Sequence, residues 1–256
     1  MIYKNFLKQK LKKNKVIVGT WQTIPNATLS EIFSLSGLDF LVIDFEHGPI
    51  NYNTAKDMIR ACELHNCSPL IRVKKNDSSL ILSALEIGAH GIVVPQVESK
   101  LDVKKFINSV YYHPIGNRGV SGFTRSTGYS IKLQKNKKIN DANNNLTNVV
   151  LVESVNAINN IDEICDNDHV QVIYIGTYDL SQSIGKTGNI YDEKLLKIIK
   201  KTVKKIISYN KIPGILAQNI EDVKFFKKIG FKFILFSVDC ALILEKIKMD
   251  IDKIKK

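Results

Sequence analysis

A chain of 256 residues with 44% apolar residues suits one α/β barrel, is short of two independent domains, and buries enough core to set disorder aside. The net charge of +12 raises nucleic acid as a partner, but the lysines spread over nearly every helical segment and crowd the last (LILEKIKMDIDKIKK), with no basic stripe interleaved with aromatics. A solvated lysine-rich surface is expected, with no nucleic acid as partner. No stretch approaches the roughly 18 apolar residues of a membrane helix, so no membrane partner and a cytoplasmic location are expected.

MIYKNFLKQKLKKNK at the N-terminus reads as an amphipathic helix. Eight short, Val- and Ile-rich runs follow, with few polar alternations, as in strands covered on both faces. They are VIVGT (16–20), DFLVIDF (39–45), SPLIRV (68–73), GIVVP (91–95), NVVLVES (148–154), VQVIYIG (170–176), KIPGILA (211–217) and FKFILFS (231–237). Between them, helical periodicity predicts helices over 28–37, 53–66, 77–88, 99–112, 155–165, 192–210 and 220–230, and another from about Leu242. Several begin at Asp, Ser or Asn and stop at Gly or Asn. The irregular stretch 113–147 is expected to place a loop and a helix over the barrel mouth.

Eight β-then-α units predict a single (β/α)8 TIM barrel over residues 1–256. The rival is a doubly wound open sheet, which favours a Gly-rich turn after the first strand, where only Gly19 stands. SIGKTG (183–188) lacks the first glycine of a phosphate loop, because Leu180 stands five positions before Gly185. Cys62, Cys67, Cys165 and Cys240 match no zinc spacing and read as buried free thiols.

Barrel chemistry sits at the C-terminal ends of strands. Asp44, Glu46 and His47 follow strand 2, Arg72 ends strand 3, Glu153 ends strand 5 and Asp179 follows strand 6. Charged residues ending apolar strands are costly unless used. Glu153 and Asp179 would share one divalent cation, Mg or Mn before Co or Zn, with water and substrate oxygens completing its shell. A 2-oxo acid would chelate there; Arg72 would stabilise its enolate and His47 would carry the proton.

LVIDFEHGP (41–49), PLIRV (69–73), LEIGAHGIVVPQV (85–97), YYHPIGNRGV (111–120), LVES (151–154), IGTYDLSQSIG (175–185) and PGILA (213–217) occur in order over nearly the whole chain. Together they resemble the HpcH/HpaI family of class II 2-oxo-acid aldolases. The resemblance implies Glu153 and Asp179 as metal ligands, His47 as base and Arg72 as the enolate's partner. It also implies substrate contacts at the backbones of Tyr178 and Leu216. Glu86 stands where the family has an aspartate that acts on the histidine of a neighbouring subunit. A homo-oligomer is implied too, a hexamer or trimer of dimers, with the C-terminal helix exchanged between subunits.

Two positions depart from the family. Leu151 replaces a glutamine whose amide helps position substrate, and Glu86 is one methylene longer than aspartate. Arg118 and Arg125 would either bind a distal group of the aldehyde part or anchor their loop. The expected activity is reversible cleavage of a 4-hydroxy-2-oxo acid, often sugar-derived, to pyruvate and an aldehyde. The alternatives are a non-catalytic barrel that binds metal and 2-oxo acid, and a citrate-lyase-like acyl-CoA lyase. A Schiff-base mechanism would make Lys74 or Lys75 the suspects.

Overall fold

The computed structural model describes residues 5–13, 15–129 and 137–256. Eight parallel strands close into a barrel in chain order: β1 (Ile17–Gln22), β2 (Phe40–Asp44), β3 (Ser68–Arg72), β4 (Gly91–Val94), β5 (Thr147–Val152), β6 (Val172–Ile175), β7 (Ile212–Ala217) and β8 (Phe233–Val238). The closed sheet decides against the open one.

Inside the barrel, Trp21, Phe40, Val42, Leu70, Leu151, Tyr174 and Phe233 form an apolar plug, with Phe40 stacked on Phe233 at 4.2 Å between ring centroids. Gly19 permits this stack, since a Cβ there would lie 2.5 Å from the Phe40 ring. A second core, including Ile43, Ile71 and Ile234, fills the space between strands and helices. Both faces of each strand are therefore buried, which is why the strands read as continuous apolar runs.

Helix α1 (Phe6–Lys12) closes the N-terminal end of the barrel. Leu7 and Leu11 enter the inner core, and the Asn5 amide donates to His90 O at 2.8 Å and Thr147 Oγ1 at 3.0 Å. The outer helices that follow are α2 (Ala27–Leu35), α3 (Tyr52–Leu64), α4 (Ser78–Glu86) and α5 (Lys100–Val110). Asn26, Asn51, Asp77 and Ser99 cap them through their side chains, as their composition suggested.

The stretch 113–147 departs from expectation. Helix α6 (Lys137–Asn145) leads directly into β5, so its end sits at the N-terminal face, where Asn145 O accepts from Asn5 at 2.6 Å. Arg125, itself buried, is drawn to the same face by the carboxylate of Glu63, at the end of α3. The described part of this stretch thus covers the end opposite the mouth; 130–136 lie outside the described residues. The segment 155–165 splits at Asn160 into α7 (Val155–Asn159) and α8 (Ile161–Cys165).

Helix α9 (Thr177–Ser183), unanticipated, follows β6 directly. After it come α10 (Glu193–Ser208) and α11 (Ile220–Ile229), then α12 (Asp239–Ile254), which starts three residues before Leu242. Only Asp239 of α12 is buried, while Ile243, Leu244, Ile247 and Ile254 are exposed. Cys62, Cys67 and Cys165 are buried free thiols, but Cys240, in the first turn of this outlying helix, is exposed. Among the described residues no helix is long and apolar enough to cross a membrane.

Candidate active site

The C-terminal rim is built from turns that the strand ends impose. After β2 the chain bends back through Phe45-Glu46-His47-Gly48. Asp44 organises that bend: its Oδ1 accepts the N–H of Glu46 at 3.0 Å and of His47 at 3.3 Å, and its carbonyl accepts the Gly48 N–H at 3.1 Å. Gly48 is required, because a Cβ there would lie 2.4 Å from Asp44 O and 2.9 Å from Thr23 O. The bend leaves the His47 ring exposed at the mouth.

Strand register pairs Asp44 with Arg72. Arg72 donates Nε to Asp44 Oδ1 at 2.8 Å and Nη2 to Oδ2 at 2.6 Å, and its Nη1 meets Glu46 Oε2 at 3.0 Å. Its guanidinium lies 4.2 Å from the Trp21 ring centroid. Burial disfavours the charge, but the hydrogen bonds and charges of Asp44 and Glu46 outweigh it and raise the guanidinium above its ordinary value. The fork is locked, with two of its five N–H donors left for a ligand.

Glu153, just past β5, gives Oε1 to the Gln96 N–H at 2.7 Å. Its Oε2 lies against Gly176, where a Cβ would come within 2.8 Å of it. Asp179 stands in the first turn of α9. Burial pushes the Glu153 carboxyl up to about 7; the Gln96 N–H and Arg72 oppose this, and Asp179 and Glu46 add to it. Burial raises Glu46 as well, against Arg72 and with Asp44 and Asp179.

Among the described residues, Asp44, Glu46, Glu153 and Asp179 thus meet one cation, Arg72. This surplus of hard oxygen donors suits a divalent cation held by Glu153 and Asp179. Among the described residues no set of three His, Cys, Asp or Glu converges as a ligand cage, so water and substrate would complete the shell.

His47, Arg72, Glu153, Tyr178, Asp179 and Leu216 all line one cavity of about 370 Å³, with Leu151 and Tyr174 on its apolar side. A second cavity of about 310 Å³ adjoins it, sharing His47, Glu153 and Asp179. The profile of the HpcH/HpaI aldolase/citrate lyase family matches residues 18–245.

The chain belongs to the HpcH/HpaI aldolase/citrate lyase family.

The 5-keto-4-deoxy-D-glucarate aldolase of Shigella boydii serotype 18 is 28% identical over 255 residues, covering 100% of this chain and 98% of the relative. The crystal structure of citrate synthase SbnG is 26% identical with a TM-score of 0.88 and covers 97% of each chain. A family protein from Burkholderia cenocepacia shares the fold at a TM-score of 0.93, with 23% identity, over 98% of this chain and 100% of that one. As a member of this HpcH/HpaI family the chain is an enzyme, an aldolase of the carbon–carbon lyase class. The family depends on a divalent metal.

Glu86 does not join the site within its own chain. It ends α4 at the opposite face of the barrel, where its charge supports that of Arg118 against burial. Arg118 stacks at 4.5 Å over Tyr112 and reaches Ser126 Oγ at 3.3 Å, while Arg125 pairs with Glu63. Both arginines anchor their loop, and neither lines the two cavities. Trp21, Gln96 and Tyr174 were missed. Trp21 had a readable signal: strand 1 runs two residues beyond Thr20, putting an indole on the rim.

Proposed function

We propose that this HpcH/HpaI enzyme is a class II pyruvate aldolase, cleaving a 4-hydroxy-2-oxo acid to pyruvate and an aldehyde and catalysing the reverse condensation. The observation that carries this reading is the convergence of His47, Arg72, Glu153 and Asp179 on one cavity from four different strand ends. Glu153 and Asp179 would hold Mg or Mn, with Co and Zn as further candidates. When bound, the cation supplies Lewis-acid stabilisation of negative charge on the 2-oxo acid.

His47 takes the proton of the C4 hydroxyl. The C3–C4 bond then breaks, its electron pair moves into the pyruvate enolate, and the aldehyde departs. The free donors of Arg72 face the enolate oxygen, and Asp44 keeps them aimed. The proton on His47 returns to C3 to complete pyruvate. The Tyr178 and Leu216 backbones would orient the substrate, and Leu151 and Tyr174 shield the methyl group from water.

Oligomerisation belongs to the same reading. The exposed apolar residues of α12 support exchange of this helix between subunits, in a hexamer or trimer of dimers. A neighbouring subunit would bring Glu86 to His47.

The decisive experiment is exchange of pyruvate methyl protons in deuterated water with a panel of divalent ions. Fast exchange that EDTA abolishes is expected, together with pyruvate release from 4-hydroxy-2-oxo acids. Metal-dependent pyruvate binding without exchange would establish a binding barrel instead. Chelator-resistant activity trapped by borohydride would move the chemistry to a lysine, although Lys74 and Lys75 do not line the cavity.

A further inference from the structure

Gln96 follows β4 with a backbone φ of 56°, in the left-handed region that glycine enters freely and other side chains enter at a cost. Its N–H holds Glu153, a bond that glycine would make equally well. The chain nevertheless carries glutamine here. The residue is exposed, and its carboxamide has no hydrogen-bond partner among the described residues. Backbone strain of this kind persists where the surroundings or the function require it.

Gln96 lines the 310 Å³ cavity that opens from the larger one past Glu153 and Asp179. Among the described residues, Val97 is the one apolar residue of that lining. Four carboxylates line it, those of Glu46, Glu98, Glu153 and Asp179, with no lysine or arginine among the described residues. The carboxylate of Glu98 accepts from Ser154 and from Asn156, and these bonds hold it below its ordinary value. Glu98 is therefore a fixed negative charge beside Gln96. Hydroxyl groups entering this annex would donate to carboxylates and accept from a free amide. A second carboxylate placed beside Gln96 would meet the charge of Glu98, the carboxylate of this lining that neither Arg72 nor a cation on Glu153 and Asp179 would balance.

We infer that Gln96 is a specificity-determining residue, whose carboxamide and acid-lined annex receive the aldehyde part of the substrate as a neutral, hydroxylated chain and reject one bearing a second carboxylate. This inference rests on the aldolase reading and extends it to the substrate class. It also separates this chain from its Shigella relative, whose name denotes a sugar diacid substrate.

The test is condensation of pyruvate, with Mg²⁺ present, onto glyceraldehyde, propionaldehyde and succinic semialdehyde. The wild-type enzyme should prefer glyceraldehyde to either competitor by about tenfold in kcat/KM, the scale of one or two hydrogen bonds. In Gln96→Gly the ratio for glyceraldehyde over propionaldehyde should fall about tenfold, and Gln96→Asn, which keeps an amide, should recover part of it. A ratio within about twofold of wild type in Gln96→Gly overturns the inference. So does a wild-type preference for succinic semialdehyde, which decides the matter even where the variants fail to fold. Absence of pyruvate methyl exchange in the wild type overturns the aldolase reading and this inference together. Exchange with an unchanged ratio overturns the inference alone.

Discussion

At the N-terminal end of the barrel, Glu63 is 5% exposed and both its oxygens are matched, by the Arg125 guanidinium and by His90 Nε2 at 2.9 Å. Nearby, Asp39 pairs with Lys10 at 2.6 Å and accepts the Val18 N–H at 2.8 Å. At the C-terminal rim, four carboxylates share one arginine, and Glu153 is left with a carboxyl that does not readily ionise. Both ends bury charge, but only one balances it. A buried charge that is fully paired fastens loops together; one left in surplus waits for a ligand. The barrel separates the two roles by its whole length.

The largest break in this comparison comes from unpairing the balanced end. Glu63→Ala removes the buried carboxylate that both Arg125 and His90 meet and should cost about 3–5 kcal/mol in urea unfolding. A loss under about 1 kcal/mol would show that the pairing contributes little. At the surplus end the sign reverses. Glu153 binds a proton in the folded state up to about pH 7, but in the unfolded state only to its ordinary value near 4.5. The folded state therefore holds more protons between these values, and metal-free stability falls as pH rises through that window. Glu153→Gln removes the effect. In EDTA it should be more stable than wild type at pH 8 by up to about 3 kcal/mol and nearly equal at pH 5. Added divalent cation should stabilise the wild type and leave Glu153→Gln behind. Equal wild-type stability at the two pH values would remove the surplus.

The two ends also differ in how far the sequence discloses them. The rim was legible because polar residues interrupt apolar runs at one strand end: Asp44, Arg72 and Glu153 each stop a strand whose other positions face packed side chains. The barrel was legible for the same reason. The balanced end was not, because Glu63 and Arg125 lie 62 positions apart in segments without periodic signal, and nothing local shows that they meet. For the described residues of 113–147, the expectation that they would cover the mouth failed on that pair. Gln96 stayed hidden for another reason: its contribution to Glu153 is a backbone N–H, which any residue but proline carries.

Arg72→Lys sharpens the comparison at the rim itself. Lysine keeps the charge and loses the fork that Asp44 grips, so stability should change little while kcat falls about a hundredfold. A matching loss of stability would make Arg72 a strut like Arg125.

The smallest expected effect falls at Leu151, where the two regimes touch. Leu151 is 1% exposed, belongs to the inner apolar plug with Tyr174, and also lines the cavity beside Glu153. Leu151→Gln would put an amide at the boundary. If that boundary belongs to the dry interior, the amide is left unpaired and costs about 1–3 kcal/mol of stability with no gain in binding. If it belongs to the rim, the amide reaches bound pyruvate, and one neutral hydrogen bond should lower the KM for pyruvate about threefold to tenfold. We expect the second outcome, because Leu151 opens onto the cavity that Arg72 and Asp179 share. A raised or unchanged KM would place Leu151 with the core and move the edge of the site outward to Glu153.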